Sequence, residues 1–169
     1  TANGGISTTV SNGSLTIDGA LSSTNAVTLT SDTDLALFDT ITGSGVTLTS
    51  NMGNIFEDVN SGITTGALVA NAAMGSISLG NGTHDVSTIE MAAQLSSGFV
   101  DADASGDGLS IGAGGVILTL GTANLELRTA ETLTIDGAVT ANGAVSLISD
   151  NMSVVDTAAG MITAGDLSA

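Results

Sequence analysis

The chain has 169 residues, of which Gly, Ala, Ser and Thr supply just over half, and it contains no Pro, Cys, Trp, Tyr or Lys. Seventeen acidic side chains face a single Arg for a net charge of −16, which leaves no basic footprint for nucleic acid, and the absence of Cys excludes disulfide staples and thiolate metal sites. A hydrophobic fraction of 42% and a mean hydropathy of +0.45 argue against an acidic disordered chain, and no apolar run approaches the ~18 residues of a membrane-spanning helix.

From the N-terminus onward the local period is two. Apolar-x-apolar triplets follow one another as Leu15-Thr-Ile17, Val27-Thr-Leu29, Leu35-Ala-Leu37, Val46-Thr-Leu48, Ile77-Ser-Leu79 and Ile89-Glu-Met91. They continue as Leu109-Ser-Ile111, Leu118-Thr-Leu120, Leu125-Glu-Leu127, Leu133-Thr-Ile135 and Val145-Ser-Leu147. The central residue is nearly always Thr, Ser or Glu, the pattern of a strand with one buried and one wet face. Ser87-Thr-Ile-Glu90 has the form of a helix capping box, but Ile89, Met91, Ala93 and Leu95 also alternate, and the strand reading is preferred. Gly, Asn, Asp or Ser punctuates almost every interval, as turns require.

A longer repeat overlies this pattern. Leu15-Thr-Ile-Asp-Gly-Ala-Leu-Ser22 returns as Leu133-Thr-Ile-Asp-Gly-Ala-Val-Thr140, and Ala26-Val-Thr-Leu-Thr-Ser-Asp32 returns as Ala144-Val-Ser-Leu-Ile-Ser-Asp150. Residues 11–50 thus resemble 129–169, within what reads as one segment, 1–169. The chain opens on Thr1 rather than Met and the second copy reaches Ala169 without a closing segment, which suggests a processed end or a longer parent. Short strands, frequent turns, no sustained helical spacing and an internal repeat predict an all-β fold, a right-handed parallel β-solenoid (β-helix) with turns of about 20–30 residues. Missing Pro fits, since every interior strand needs its N–H groups for its neighbours. An antiparallel β-sandwich is the alternative, and ordinarily brings longer strands, more aromatics and some Pro.

The sharpest chemical motif is Asp101-Ala-Asp103-Ala-Ser105-Gly106-Asp107-Gly108. Its alternating oxygens and its Gly at the sixth position match the first half of a calcium loop, so Asp101, Asp103, Ser105 and Asp107 are the candidate Ca²⁺ ligands. The match ends at Gly112, where an EF-hand has a bidentate Glu; the alternative is a solvated acidic turn. Asp32, Asn51 and Asp150 recur at equivalent corners, where side chains that bond their own backbone are favoured and could stack into a ladder. His84, the one His, reads as a polar turn residue in Gly80-Asn-Gly-Thr-His-Asp85, and no nucleophile or acid–base set emerges around it. Arg128 is expected to pair with Glu126 or Glu131. Gly112-Ala-Gly-Gly115 lacks the Lys and helix of a phosphate loop. Thr28, Thr30, Thr47 and Thr49 would form an outward Thr array of the kind ice-binding solenoids carry, broken elsewhere by Ser146 and Ile148.

Segments such as Leu133-Thr-Ile-Asp-Gly-Ala-Val-Thr-Ala-Asn-Gly-Ala-Val-Ser-Leu147 and Gly62-Ile-Thr-Thr-Gly-Ala-Leu68 resemble the shaft repeats of filamentous-haemagglutinin-like bacterial surface adhesins, and the likeness of texture covers most of the chain. Without Pro the chain cannot hold that family's Asn-Pro-Asn-Gly secretion motif, so the resemblance is to shaft rather than secretion domain. It implies an extracellular, cell-surface location and a structural or adhesive role without catalytic residues. The expected partners are further copies stacked into a filament, and a host or biofilm surface glycan or protein, with no nucleic acid. A carbohydrate-binding or carbohydrate-active β-helix is the alternative function, and an ice-binding solenoid a weaker one.

Overall fold

The computed structural model describes residues 4–101 and 108–169. It is all β, one continuous sheet of parallel strands wound into a solenoid of about seven turns. The first turn comprises β1 (Ile6–Val10), β2 (Leu15–Ile17) and β3 (Leu21–Ser22), and the second β4 (Val27–Ser31), β5 (Leu35–Leu37) and β6 (Thr40–Gly43). The third holds β7 (Val46–Ser50), β8 (Ile55–Glu57) and the front of β9 (Gly62–Ala72), which bends round a corner into the fourth. The chain then runs through β10 (Ile77–Leu79), β11 (Asp85–Ala93), β12 (Ser97–Asp101), β13 (Leu109–Leu118), β14 (Leu125–Thr129) and β15 (Leu133–Ile135). It ends through β16 (Ala138–Ser149), β17 (Val154–Asp156) and β18 (Met161–Ser168). Each turn presents three faces, and each advances the chain by 19 residues (Val27 under Val46) to 28 residues (Gly98 under Glu126).

The apolar triplets create the core because register is kept from turn to turn. On the first face Val27, Val46, Leu68, Ile89 and Ile111 stack in line, and beside them Leu29, Leu48, Ala70, Met91, Val116 and Val139. All of these side chains are buried. A three-residue strand cannot bury a side chain by itself, but a neighbour above and below removes it from water, worth about 1.5–3 kcal/mol per large aliphatic. The residue between each pair points outward, so Thr28 sits under Thr47 and Thr30 under Thr49. The Thr array covers those two turns, continues to Thr9 under Thr30, and gives way to Val69 and Asn71 on the next. Ile89-Glu90-Met91 lies within strand β11 and not on a helix.

Corners are held by side chains that reach between turns. Asp34 Oδ1 accepts the Asn54 backbone N–H at 2.7 Å, Asn54 Oδ1 accepts that of Ser76 at 3.0 Å, and Asn124 Oδ1 accepts that of Ala144 at 2.7 Å. The ladder foreseen at Asp32, Asn51 and Asp150 is therefore built a few residues further on, directly before the second-face strands. There the side chain of one turn stands beneath a backbone N–H of the next. Most corner glycines serve close approach: a Cβ on Gly75 would collide with the Gly53 carbonyl, and one on Gly143 with the Asn124 side chain. Positive φ among the described residues is confined to Gly13, Gly108 and Gly115.

The 118-residue repeat does not return to the same face. β2 pairs within the second face, with β5, whereas its copy β15 pairs with β13 and β17 and continues the line of Ile89 and Ile111. Likewise β4 is on the first face, and its copy at the end of β16 pairs with β14 on the second. A triplet needs only two inward apolar side chains and one outward polar one, and every face meets that need. The Gly112-Ala-Gly-Gly115 stretch lets β13 fork, since Ile111 lies on Ile89 and Val116 on Met91, and the two arms pair separately with β15 and β16.

Leu48→Ala should cost about 2–5 kcal/mol in chemical denaturation, whereas Thr47→Ala, on the neighbouring outward position, should stay within about 0.5 kcal/mol.

Candidate functional site: a buried carboxylate–imidazole cluster

One inward row departs from the aliphatic rule. Ile17 lies under Leu37 and Leu37 under Glu57; further up, Leu79, Phe99, Leu127 and Leu147 stack in turn. Glu57 thus occupies a core position at the end of Ile55-Phe56-Glu57, with 6% of its surface exposed. The alternation that drives Leu37 inward drives Glu57 inward too. An unpaired carboxylate there would cost several kcal/mol, and the chain supplies four partners.

His84 is fully buried, and its Nε2 lies 2.9 Å from Glu57 Oε1. The backbone N–H groups of Asn81 and Gly82 donate to the same oxygen, each at 2.9 Å. Ser61 Oγ lies 2.8 Å from Oε2. The Ile63 N–H donates to His84 Nδ1 at 3.1 Å, so that nitrogen offers a lone pair and the network assigns the ring proton to Nε2, facing Glu57. The imidazole stacks on buried Phe99, with centroids 5.0 Å apart. No buried side-chain polar atom lacks a partner among the described residues.

Burial, the largest single influence, pushes the Glu57 carboxyl up. The hydrogen bond and electrostatic pull of His84, followed by the Gly82 N–H and the Ser61 hydroxyl, together outweigh it and hold the group below the ordinary glutamate range. Chemically the order is hydroxyl, carboxylate, imidazole. His84 spends both nitrogens on Glu57 and Ile63, Ser61 is buried, and the cluster has the form of a structural tie and not of a nucleophile with its base.

His84 therefore corrects the expectation of a polar turn residue. The turn from Gly80 to Thr83 is real, but its far end folds inward to satisfy Glu57. The available signal was Glu57 itself, an acid at the inward place of an apolar-x-apolar triplet. Arg128 corrects another expectation: its Nε pairs with Asp150 at 3.0 Å on the next turn, not with Glu126 or Glu131. Pairing Arg128 with Ile148 sets Asp150 just beyond it, within reach across one inter-strand spacing. Of the calcium candidates, Asp101 ends β12 as a buried residue with a polar partner of its own, and Asp103, Ser105 and Asp107 lie outside the described residues. Among the described residues, no three His, Cys, Asp or Glu side chains gather as a metal would need.

An open groove of about 490 Å³ runs along the outer second face over Ser78, Gly98 and Ser146, beside Asn124 and Glu126. The ring of Phe99 beneath it is fully buried and gives a sugar no stacking surface. No helix among the described residues is long and apolar enough to cross a membrane. Comparison with known families, curated proteins and solved structures finds no match; of the adhesin-shaft resemblance, the structure supports the β-solenoid of about seven turns.

Because the folded state lowers the Glu57 pKa, its contribution to stability is complete above the ordinary value of 4.5 and is lost as pH falls through the folded value. Glu57→Ala leaves buried donors without an acceptor and should cost about 3 kcal/mol or more at pH 7. Denaturation of the variant should in turn lack that part of the acid dependence.

Proposed function

We propose that this chain is a structural, non-enzymatic rod: a segment of an extracellular bacterial fibre or large surface adhesin that stacks end to end with further solenoid turns. The observation that carries the reading is the inward stack shared by successive parallel turns together with its open edges. Among the described residues β1 pairs only with β4 and β18 only with β16, so each leaves one backbone edge for another parallel strand. The last turn also leaves Val155, Met161 and Leu167 substantially exposed, and a further turn would cover them. The strong negative charge keeps such rods soluble and apart. Adhesion to a host or biofilm surface glycan or protein belongs to the same proposal. Calcium binding by the Asp101, Asp103, Ser105 and Asp107 motif belongs to the same proposal.

Negative-stain images and sedimentation of the purified chain should show rods whose length grows with protein concentration; a monodisperse monomer across a wide range contradicts the self-assembling reading. Millimolar Ca²⁺ should raise the melting temperature more than NaCl at matched ionic strength, and equal effects would remove the specific calcium site.

A further inference from the structure

The Glu57–His84 cluster sits where the backbone ladder is interrupted. β10 ends at Leu79, and pairing on the third face resumes with Asp85 over Thr64 and Val86 over Thr65. Between them the chain leaves the strands. The Asn81 and Gly82 N–H groups turn down to Glu57, and the Ile63 N–H turns up to His84. Three backbone donors that a regular turn would give to the neighbouring backbone are held by two ionisable side chains.

We propose that this cluster is an acid-released clasp between the third and fourth turns, and that proton uptake there opens the rod at that level while the turns on either side stay paired. A proton on Glu57 replaces a charged acceptor of several hydrogen bonds with a neutral one. The bonds weakened are those that tie 81–82 to the turn below, leaving the Thr83 N–H to Ser61 carbonyl bond at 3.1 Å as the backbone link there. The lowered Glu57 pKa sets the window below pH 4.5.

The other ionisable groups around the cluster are few. The turn after β8 carries Asp58, whose carboxylate is occupied by Asn60 through its backbone N–H at 2.9 Å. β11 opens with Asp85, and β12 presents the Phe99 ring and, two residues on, buried and partnered Asp101. No Lys or Arg is near enough in sequence or register to stand in for His84. Elsewhere acid acts with the opposite sign, because protonating exposed carboxylates relieves the repulsion of a chain at −16. Local opening at the clasp is therefore distinguishable from general acid unfolding.

Hydrogen exchange on the dilute full chain, corrected for intrinsic rates and compared between pH 6 and pH 3.5, tests this. Protection at Ile63, Asn81 and Gly82 should fall about tenfold or more while Leu48 and Leu127 keep theirs, and in Glu57→Gln the three amides should show no such pH dependence. Loss of protection at all five sites together, retention at all five, or an unchanged profile in Glu57→Gln would overturn the proposal. Should that variant not fold, limited pepsin digestion of the wild-type chain at pH 3.5 decides. Cuts confined to 58–62 and 80–84 support the clasp, and cuts spread along the chain or absent at those sites contradict it.

Discussion

Everything in this molecule depends on the hydrogen-bond ladder between one turn and the next. A strand of three residues has no stability of its own, and its N–H and C=O groups are satisfied only by the turns above and below. That single dependence explains the composition. Pro would remove a donor from a ladder that uses nearly all of them. The corners where turns pass closest admit only small residues, as at Gly53 and Gly75. The interior is too narrow for many aromatic rings, and Phe99 is the one Phe that is fully buried, while Phe38 lies out on the surface.

Where backbone cannot reach backbone, side chains take its place, and they do so in two ways. Asp34, Asn54 and Asn124 extend the ladder around the corner before the second face with short hydrogen bonds to the next turn. The Glu57–His84 cluster does the same inside the core, at the cost of desolvating a carboxylate. The first solution spreads single bonds over separate corner side chains, one carboxylate and two amides. The second concentrates several charge-assisted bonds on one buried group, and so makes one level of an otherwise uniform rod sensitive to protons.

The fold was legible because its rule is local: two inward apolar residues around one outward polar residue, repeated with turns between. Leu15-Thr-Ile17 and Leu133-Thr-Ile135 declare strands equally well. For the same reason they do not say which face they join, and the 118-residue repeat falls on different faces in its two copies. The cluster was hidden because a residue's neighbours across turns depend on the exact length of each turn. Glu57 and His84 are far apart in sequence, and only the register of β8 against β10 brings them together. Arg128 and Asp150 were obscured in the same way, whereas Glu126 and Glu131 looked closer on paper. The groove over Gly98 likewise exists only because small outward residues on successive turns happen to align.

The central claim, a rod of stacked parallel turns, is most directly tested by distances along one outward line. Thr9, Thr30, Thr49, Asn71, Ala92, Ile117, Thr140 and Thr163 occupy the same position on successive turns. The chain has no Cys, so spin labels can be placed in pairs by Thr9→Cys with Thr163→Cys and by Thr49→Cys with Thr140→Cys. With about 4.8 Å per turn, pulsed electron–electron resonance should read about 34 Å for the first pair and about 19 Å for the second. Distances that grow with the number of intervening turns support the solenoid; similar distances for both pairs, as in a compact sandwich, would contradict it.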